Sequence, residues 1–371
     1  GDVYKRQIKD EAPNAEADIT GISFEEDVLA NSYIDLNPSY DESQNAYPIR
    51  ISVKEGTDMT SLAPIFELTP GATISPASGS VQNFTTPVRY TVTSEDKAWH
   101  RVYAITAREQ KASNIPTTYH FEKVRIMQNV WQEFYEEQDS GNELTWASGN
   151  KGFKWAMSEA ATEDYPTTQI DNGKTGKCVK LETRLTGDLG NMVGMPIAAG
   201  NLFIGSFDML NAITNPLSAT RFGTPFYNKP LRLTGYYKYK AGEQFYENGE
   251  YTSRKDIFNI YAIFYDGVKY DSAGKGTDVT LDGNLPNQNY EHSSMVALAL
   301  VSNPQETEGD EWKFFDIPFD YQRYGKKIDE ARLAKGEYKI GIIFASSKDG
   351  ATFEGAPGST LLIDEVELIY E

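Results

Sequence analysis

Carboxylates are the residues of this chain that could most readily carry out chemistry, since 54 of its 371 residues are acidic. Hydrolysis of a glycosidic bond uses two carboxyl groups, about 5–5.5 Å apart for retention of configuration and about 6.5–9.5 Å apart for inversion. Four candidates fall on the faces of expected strands: Glu122, Glu182, Asp208 and Asp364. No spacing selects two of them, so the sequence permits an enzyme without indicating one.

The closing segment LLIDEVELIYE, residues 361–371, places one of these carboxylates in an unexpected row. Alternate side chains of a regular strand share a face, which puts Asp364 beside Val366 and Leu368 in the row that looks most like core. An unpaired buried carboxylate costs on the order of several kcal/mol. We therefore expect Asp364 to be paired, to bind a cation, or to lie at a solvated end.

The sequence offers less support for a nucleophilic triad, a phosphate-binding loop or a reactive cysteine. The chain has three histidines, His100, His120 and His292, and no Gly-x-Ser-x-Gly motif accompanies them. The segment GKTGK at 173–177 lacks the residue order of a phosphate-binding loop and predicts a turn between strands. Cys178 is the single cysteine, so an intramolecular disulfide is impossible, and we interpret it as a small hydrophobic residue in a strand.

Sugar binding needs exposed aromatic rings, because the C–H groups of a pyranose stack on them while polar side chains bind its hydroxyls. Aromatic and basic residues in expected loops make five candidates: Trp131, Trp146, Trp155, Arg221 and Tyr227. The alternative for each tryptophan is packing in the core.

The segment YYKYK at 236–240 offers a second set of rings. Alternation places Tyr237 and Tyr239 in one row, and Tyr236 with Lys238 in the other. We expect one of these rows to belong to the core.

The net charge of −19 excludes several partners. Binding to a nucleic acid backbone or to an anionic membrane needs a basic surface that the chain lacks. A neutral ligand or a bound cation suits this acidity better. No apolar run approaches the roughly 18 residues of a membrane-spanning helix, and the first residues do not form a signal peptide.

Short runs of period-two alternation dominate and helical periodicity is scarce, which predicts an all-β protein. Ile49, Ile51 and Val53 alternate in one such run, and residues 94–98 form a turn that closes a hairpin. We predict a β-sandwich over residues 18–108, preceded by a flexible segment over residues 1–17.

A linker over residues 109–118 leads to a larger second domain over residues 119–371. Nine or more strands without interleaved helices predict an antiparallel sandwich, and we expect it to be a jelly roll. One short helix is predicted around IMQNVWQEFYEEQ, where Val130, Phe134 and Glu137 have helical spacing.

Residues 74–107 resemble the end of the immunoglobulin-like domains that precede larger modules in surface lipoproteins of Bacteroides-type bacteria. The matching residues are Gly79 to Val81, Asn83, Phe84, Pro87 and Tyr90 to Thr93. The resemblance implies a spacer that projects another domain from the cell surface.

The second domain resembles the family called the putative carbohydrate metabolism domain (PCMD). The supporting blocks are AAGNLFIGSF at 198–207, ATRFGTPFYNKPLRLTGYYKYKAGE at 219–243 and GSTLLIDEVELIY at 358–370. This resemblance implies a β-sandwich from a polysaccharide-handling bacterium, and it carries no functional residues over to this chain.

Phe121-Glu122 near the start of the domain and Ile363-Asp364-Glu365-Val366 at its end are similar to the Phe-Glu and Asp-Asp-Val elements of carbohydrate-binding modules. Such modules hold a structural Ca²⁺ where the first and last strands meet. The resemblance implies Glu122 and Asp364 as ligands, completed by backbone carbonyls. Glu365 departs from the usual second Asp. The alternative is a hydrogen-bonded Asp364 without a metal.

Together these features favour a non-catalytic cell-surface protein of a polysaccharide-utilisation system that binds a polysaccharide or oligosaccharide. We expect a location at the cell surface or in the periplasm, a lipid anchor on a preceding segment, and other surface proteins of the same system as further partners. One alternative is a glycoside hydrolase or lyase with a carboxylate pair in the jelly roll. The other is a structural or assembly protein of the cell surface.

Overall fold

The computed structural model describes residues 12–30 and 34–371, and the chain divides into two compact units. The first unit ends at Ala112, and the second comprises Ser113–Tyr370. The boundary lies within the segment predicted as a linker. The flexible segment predicted for residues 1–17 falls, up to residue 11, outside the described residues.

The first unit is built from strands. Its described strands are β1 (Ile19–Ser23), β2 (Tyr47–Lys54), β3 (Ile65–Leu68), β4 (Thr73–Ser75), β5 (Val88–Thr93) and β6 (His100–Gln110). One sheet has the order β2-β6-β5-β4, with β2 parallel to β6, and a second sheet pairs β1 with β3. Ile49, Ile51 and Val53 of β2 all point into the core, which confirms their predicted alternation.

The second unit consists mainly of antiparallel strands. They are β7 (Thr118–Tyr119), β8 (Val124–Met127), β9 (Trp131–Glu137), β10 (Glu143–Thr145), β11 (Thr167–Asp171), β12 (Lys177–Glu182), β13 (Arg184–Leu185), β14 (Ile197–Ala198), β15 (Asn201–Phe203), β16 (Gly205–Phe207), β17 (Thr220–Phe222), β18 (Thr224–Pro225), β19 (Pro230–Lys240), β20 (Phe245–Glu247), β21 (Glu250–Thr252), β22 (Asn259–Asp266), β23 (Val268–Tyr270), β24 (Gly276–Asp278), β25 (Leu281–Asp282), β26 (Met295–Leu300), β27 (Lys313–Pro318), β28 (Tyr338–Ala345) and β29 (Thr360–Tyr370). Its helices are α1 (Asn150–Ala156), α2 (Gly187–Met192), α3 (Met209–Thr214) and α4 (Glu330–Ala334).

Eight of these strands form a jelly roll. Sheet one has the order β12-β29-β19-β27, with β11 beside β12, and sheet two has the order β15-β28-β22-β26. Numbered along the chain, the eight strands follow the orders 1-8-3-6 and 2-7-4-5, which is the double Greek key of a jelly roll. All pairings among them are antiparallel. The predicted all-β fold is therefore confirmed.

The core lies between the two sheets. Tyr237 and Tyr239 of β19 are buried in it, and Tyr236 and Lys238 lie on the outer face of sheet one. Leu233 continues the inner row of the same strand. The inner row of YYKYK is thus Tyr237 and Tyr239, as the alternation allowed.

A β-bulge in β29 decides where Asp364 points. Tyr236 of β19 is paired with Asp364, but Thr234 is paired with Glu367, so Glu365 and Val366 together oppose Gly235. Glu365 has a φ of 48°, the left-handed conformation that accommodates the extra residue.

The bulge reverses the alternation of side chains along β29. Leu361 and Ile363 before it and Val366 and Leu368 after it all join the core between the sheets. Asp364 therefore lies on the outer face of sheet one, and the prediction that it shares a row with Val366 and Leu368 is wrong. The reason is that regular alternation ends at the inserted residue.

The helix predicted around IMQNVWQEFYEEQ is also wrong, because this segment forms the hairpin of β8 and β9. The connecting residues Gln128 and Asn129 have φ values of 50° and 61°. Two successive residues with positive φ are typical of a tight hairpin turn and incompatible with a helix. Burial of Trp131 and Phe134, not helical spacing, explains the apolar pattern.

Candidate functional site

A short loop between β11 and β12 covers the outer face of sheet one. This loop, residues 172–176, contains most of the GKTGK motif and is the turn between strands that the sequence predicted. Asp364 accepts hydrogen bonds from the backbone N–H of Thr175 (3.0 Å, at Oδ2) and from its own neighbour Glu365 (2.8 Å, at Oδ1). Glu122 Oε1 accepts one from Lys177 at 2.8 Å. Both carboxylates therefore hold the same loop.

Gly173 makes this close approach possible. A Cβ atom at this position would lie 2.5 Å from the backbone oxygen of Lys177 and 2.7 Å from Oδ2 of Asp364. Neither atom belongs to a flexible chain end that could move aside without losing a hydrogen bond. A side chain here would therefore lift the loop off the sheet.

The first strand of the domain, β7, pairs with the last, β29, and the expected calcium ligands Glu122 and Asp364 both bind backbone N–H groups of residues 175–177. However, Ca²⁺ takes six to eight oxygen ligands, and the bonded oxygens of these carboxylates face N–H donors. Across residues 12–30 and 34–371, no group of three or more His, Cys, Asp or Glu side chains could hold a metal ion. The observed partners of both carboxylates are thus N–H donors, and the calcium site stays a prediction.

Burial raises the pKa of Asp364 to about 6, against the opposing effect of its N–H donors, and the nearby Glu365 carboxylate raises it further. Burial likewise raises the pKa of the adjacent Cys178 thiol to about 12, to which the Asp364 charge adds. The thiol therefore stays protonated and packs as a small hydrophobic residue.

The other two candidate carboxylates also have structural partners. Glu182 pairs with Lys180 at 3.0 Å and with Arg184 at 3.2 Å. Asp208 caps the N-terminus of α3 and accepts a hydrogen bond from the backbone N–H of Leu210 at 2.9 Å. Their positions in the sequence had not indicated these roles.

Beside the loop, three aromatic side chains form a strip on the outer face of sheet one. This aromatic strip consists of Tyr236, Trp312 and Phe314, and the ring centroids of Tyr236 and Phe314 are 5.2 Å apart. Phe314 is 48% exposed. Lys174, from the loop, places its ammonium 4.8 Å from the centre of the Tyr236 ring, and Lys238 lies 5.0 Å from that of Trp312.

Charged groups border the aromatic strip. Lys238 pairs with Asp310 at 2.7 Å, and Arg232 pairs with Asp316 at 2.6 Å. Exposed rings next to hydrogen-bonding side chains are the chemical combination that a sugar requires. Sequence reasoning missed this site, although the outer row of YYKYK contained its signal in Tyr236.

A separate cavity lies over the outer face of sheet two, under the helices α1, α2 and α3. Its volume is about 170 Å³. Phe203, Tyr261 and Ile343 from the sheet line it, and Trp155, Phe207 and Ile213 line it from the surrounding segments. None of the described residues that line this cavity is Asp, Glu or His.

The predicted sugar-binding residues do not gather in one groove. Trp131 and Trp146 are 7% and 1% exposed, so the expectation that they offer ring faces to a ligand fails. Both are packed in apolar clusters. Trp155 is 36% exposed and lines the cavity. Tyr227 and Arg221 are exposed but do not line the cavity.

The comparisons with known proteins follow this division of the chain. Residues 120–369 match the family described as putative carbohydrate metabolism domain. The chain belongs to this family. Residues 35–107 match a second family described as SGBP, N-terminal, where SGBP denotes a surface glycan-binding protein. The carbohydrate metabolism domain therefore contains both the aromatic strip and the cavity.

Solved structures similar to this chain include two from Bacteroides species. A putative glycoside hydrolase from Bacteroides vulgatus is 50% identical, with 70% of this chain and all of that one covered and a TM-score of 0.65. A putative glycoside hydrolase from Bacteroides thetaiotaomicron is 45% identical, with 98% of this chain and 99% of that one covered and a TM-score of 0.62. No curated protein matches. In the described part of the chain, no helix has the length and apolar character needed to cross a membrane.

The substitution Gly173→Ala should destabilise the carbohydrate metabolism domain by about 1–3 kcal/mol, because the added methyl group overpacks the contact with Lys177 and Asp364. Gly149→Ala is the matched control, since its Cβ would meet no atom closer than 3.5 Å. Thermal and urea unfolding measure the difference. Equal stability of the two variants would contradict the close approach.

Asp364 should make folding stability depend on pH. Its folded pKa of about 6 exceeds the ordinary value of 3.8, so the folded state binds the proton more tightly than the unfolded state. This contribution is complete below about pH 4 and is lost as the pH rises through about 6. Relative to Asp364→Asn, the wild type should therefore gain stability as the pH falls from 7 to about 4. Asp139→Asn, at an exposed position, controls for the lost charge. Parallel pH profiles of wild type and Asp364→Asn would exclude the effect.

Addition of EDTA or of excess calcium should leave the melting temperature unchanged, because Asp364 and Glu122 already accept N–H donors. Differential scanning calorimetry with each additive measures this. A calcium-dependent rise that Glu122→Gln abolishes would restore the metal site predicted from the sequence.

Proposed function

We propose that this protein binds a glycan at the cell surface without cleaving it, and that the aromatic strip of sheet one is the binding surface. The observation that carries the proposal is the row of Tyr236, Trp312 and Phe314 beside two lysines, in which Phe314 is exposed and the other two rings are half-buried. A pyranose stacks its C–H groups on such rings while its hydroxyls bind the charged groups at the border. The SGBP N-terminal match supports the same function.

The construction of the strip favours a preformed surface. Tyr236 and Phe314 are directly paired across β19 and β27, so the strand register sets their spacing. Lys174 is held against Tyr236 by a loop that Asp364 and Glu122 anchor. Few side chains have to become ordered when a glycan binds. The smaller loss of conformational entropy favours affinity.

Hydrolysis is the alternative, and it is favoured by the similarity to two solved structures that are described as putative glycoside hydrolases. Against it, the four candidate carboxylates bind backbone N–H groups or neighbouring cations. The cavity has no acidic residue among the described residues of its lining. A carboxylate pair that faces a sugar would be needed for either stereochemical outcome.

In the cell, the protein would belong to a polysaccharide-utilisation system. The first unit would act as a spacer, a lipid on a preceding segment would anchor the protein, and other surface proteins of the system would be partners. A structural or assembly role at the surface predicts a protein partner instead, which cross-linking would recover.

A panel of plant, host and microbial polysaccharides in affinity electrophoresis and calorimetry tests the proposal. With the glycan that binds, Phe314→Ala and Tyr236→Ala should each weaken binding about tenfold, because loss of one stacked ring removes about 1.4 kcal/mol. Tyr251→Ala, which removes a ring that is 49% exposed elsewhere in the domain, should leave binding unchanged.

Release of reducing ends from the same panel separates binding from hydrolysis. We expect no release above the buffer control. Release that persists after purification, or binding that is unaffected by both strip variants, would contradict the proposal.

A further inference from the structure

The cavity over sheet two is a second candidate site, on the opposite side of the jelly roll from the aromatic strip. Its walls are mainly apolar and include the rings of Phe153, Trp155, Phe207 and Tyr261. A sugar ring, with a hydroxyl on nearly every carbon, would lose hydrogen bonds to water in such surroundings. The cavity is therefore unsuited to the glycan chain itself.

The size of the cavity limits its occupant. Its volume is about 170 Å³. An apolar cavity of about 150 Å³ is known to bind benzene, so one substituted aromatic ring fills this space and a long acyl chain does not fit. Rings in the walls favour an aromatic occupant further, because edge-to-face ring pairs contribute about 0.5–1.5 kcal/mol beyond the buried area.

The entrance suits a group that is carried on a larger molecule. Ile213 and Trp155 line the cavity and are 43% and 36% exposed, so the cavity is open to solvent at these side chains. Such an opening lets a group enter the cavity while the molecule that carries it stays outside. Lys348 also lines the cavity and is exposed, so its ammonium can donate to an ester carbonyl.

We propose that this cavity binds a single-ring aromatic acyl group, of the hydroxycinnamoyl type, that is esterified to the bound glycan. The inference rests on the proposed glycan-binding function and names its substrate class as an aromatically acylated polysaccharide. The ring enters the cavity, the ester lies near Lys348, and the sugar chain stays outside the cavity.

Methyl 4-hydroxycinnamate is the probe for the cavity, measured with the whole protein by calorimetry and saturation-transfer NMR. We expect saturable binding that Trp155→Ala weakens at least tenfold. Trp99→Ala is the matched control, since it removes a tryptophan that is 64% exposed in the first unit. Ala212→Phe, which fills the cavity from α3, should abolish binding without loss of thermal stability.

Two results would overturn the inference. One is the absence of saturable binding of methyl 4-hydroxycinnamate to the folded wild-type protein. The other is tighter binding of methyl laurate, which would assign the cavity to an aliphatic chain. Failure of the proposed function is distinguishable. In that case the free ester would still bind to wild type and to Phe314→Ala, the intact acylated polysaccharide would bind through its acyl group, and the saponified polysaccharide would not bind.

Discussion

The outer face of sheet one depends on the hydrogen bonds that the buried carboxylate of Asp364 accepts from backbone N–H groups. The carboxylate lies beneath loop 172–176 because a bulge at Glu365 turns it away from the core. Without its N–H donors, the buried charge would be costly. The loop and the carboxylate therefore stabilise each other, and Lys174 reaches the Tyr236 ring as a consequence.

The jelly roll separates two kinds of surface. Sheet one presents rings and charges on β19 and β27, a combination that suits hydroxyl-rich ligands. Sheet two is covered by segments that carry α1, α2 and α3, and these segments enclose an apolar cavity. Because each strand of a sandwich points alternate side chains outward, one shared core supports both surfaces without a conflict in packing.

Much of the fold follows from local pattern. The sequence predicts nine or more antiparallel strands for the second domain, and the structure contains the eight strands of the jelly roll. Predictions from local pattern were wrong where the backbone is irregular. Helical spacing around Val130 and Phe134 is produced by a tight hairpin, and alternation in β29 is interrupted by Glu365. Neither irregularity has a glycine at the decisive position, and Asn129 is the one residue at either place that is typical of a tight turn.

The residues capable of binding were harder to predict than the strands. A tryptophan has the same local sequence signature whether it is buried, as Trp146 is, or lines a cavity, as Trp155 does. The sequence by itself determined the strand-rich composition, the acidity and the alternation that separates Tyr236 from Tyr237. Only the tertiary structure decided that Tyr236 meets Phe314, because partners 78 positions apart are joined by sheet register. Register and bulges depend on the packing of the whole core, which no local pattern contains.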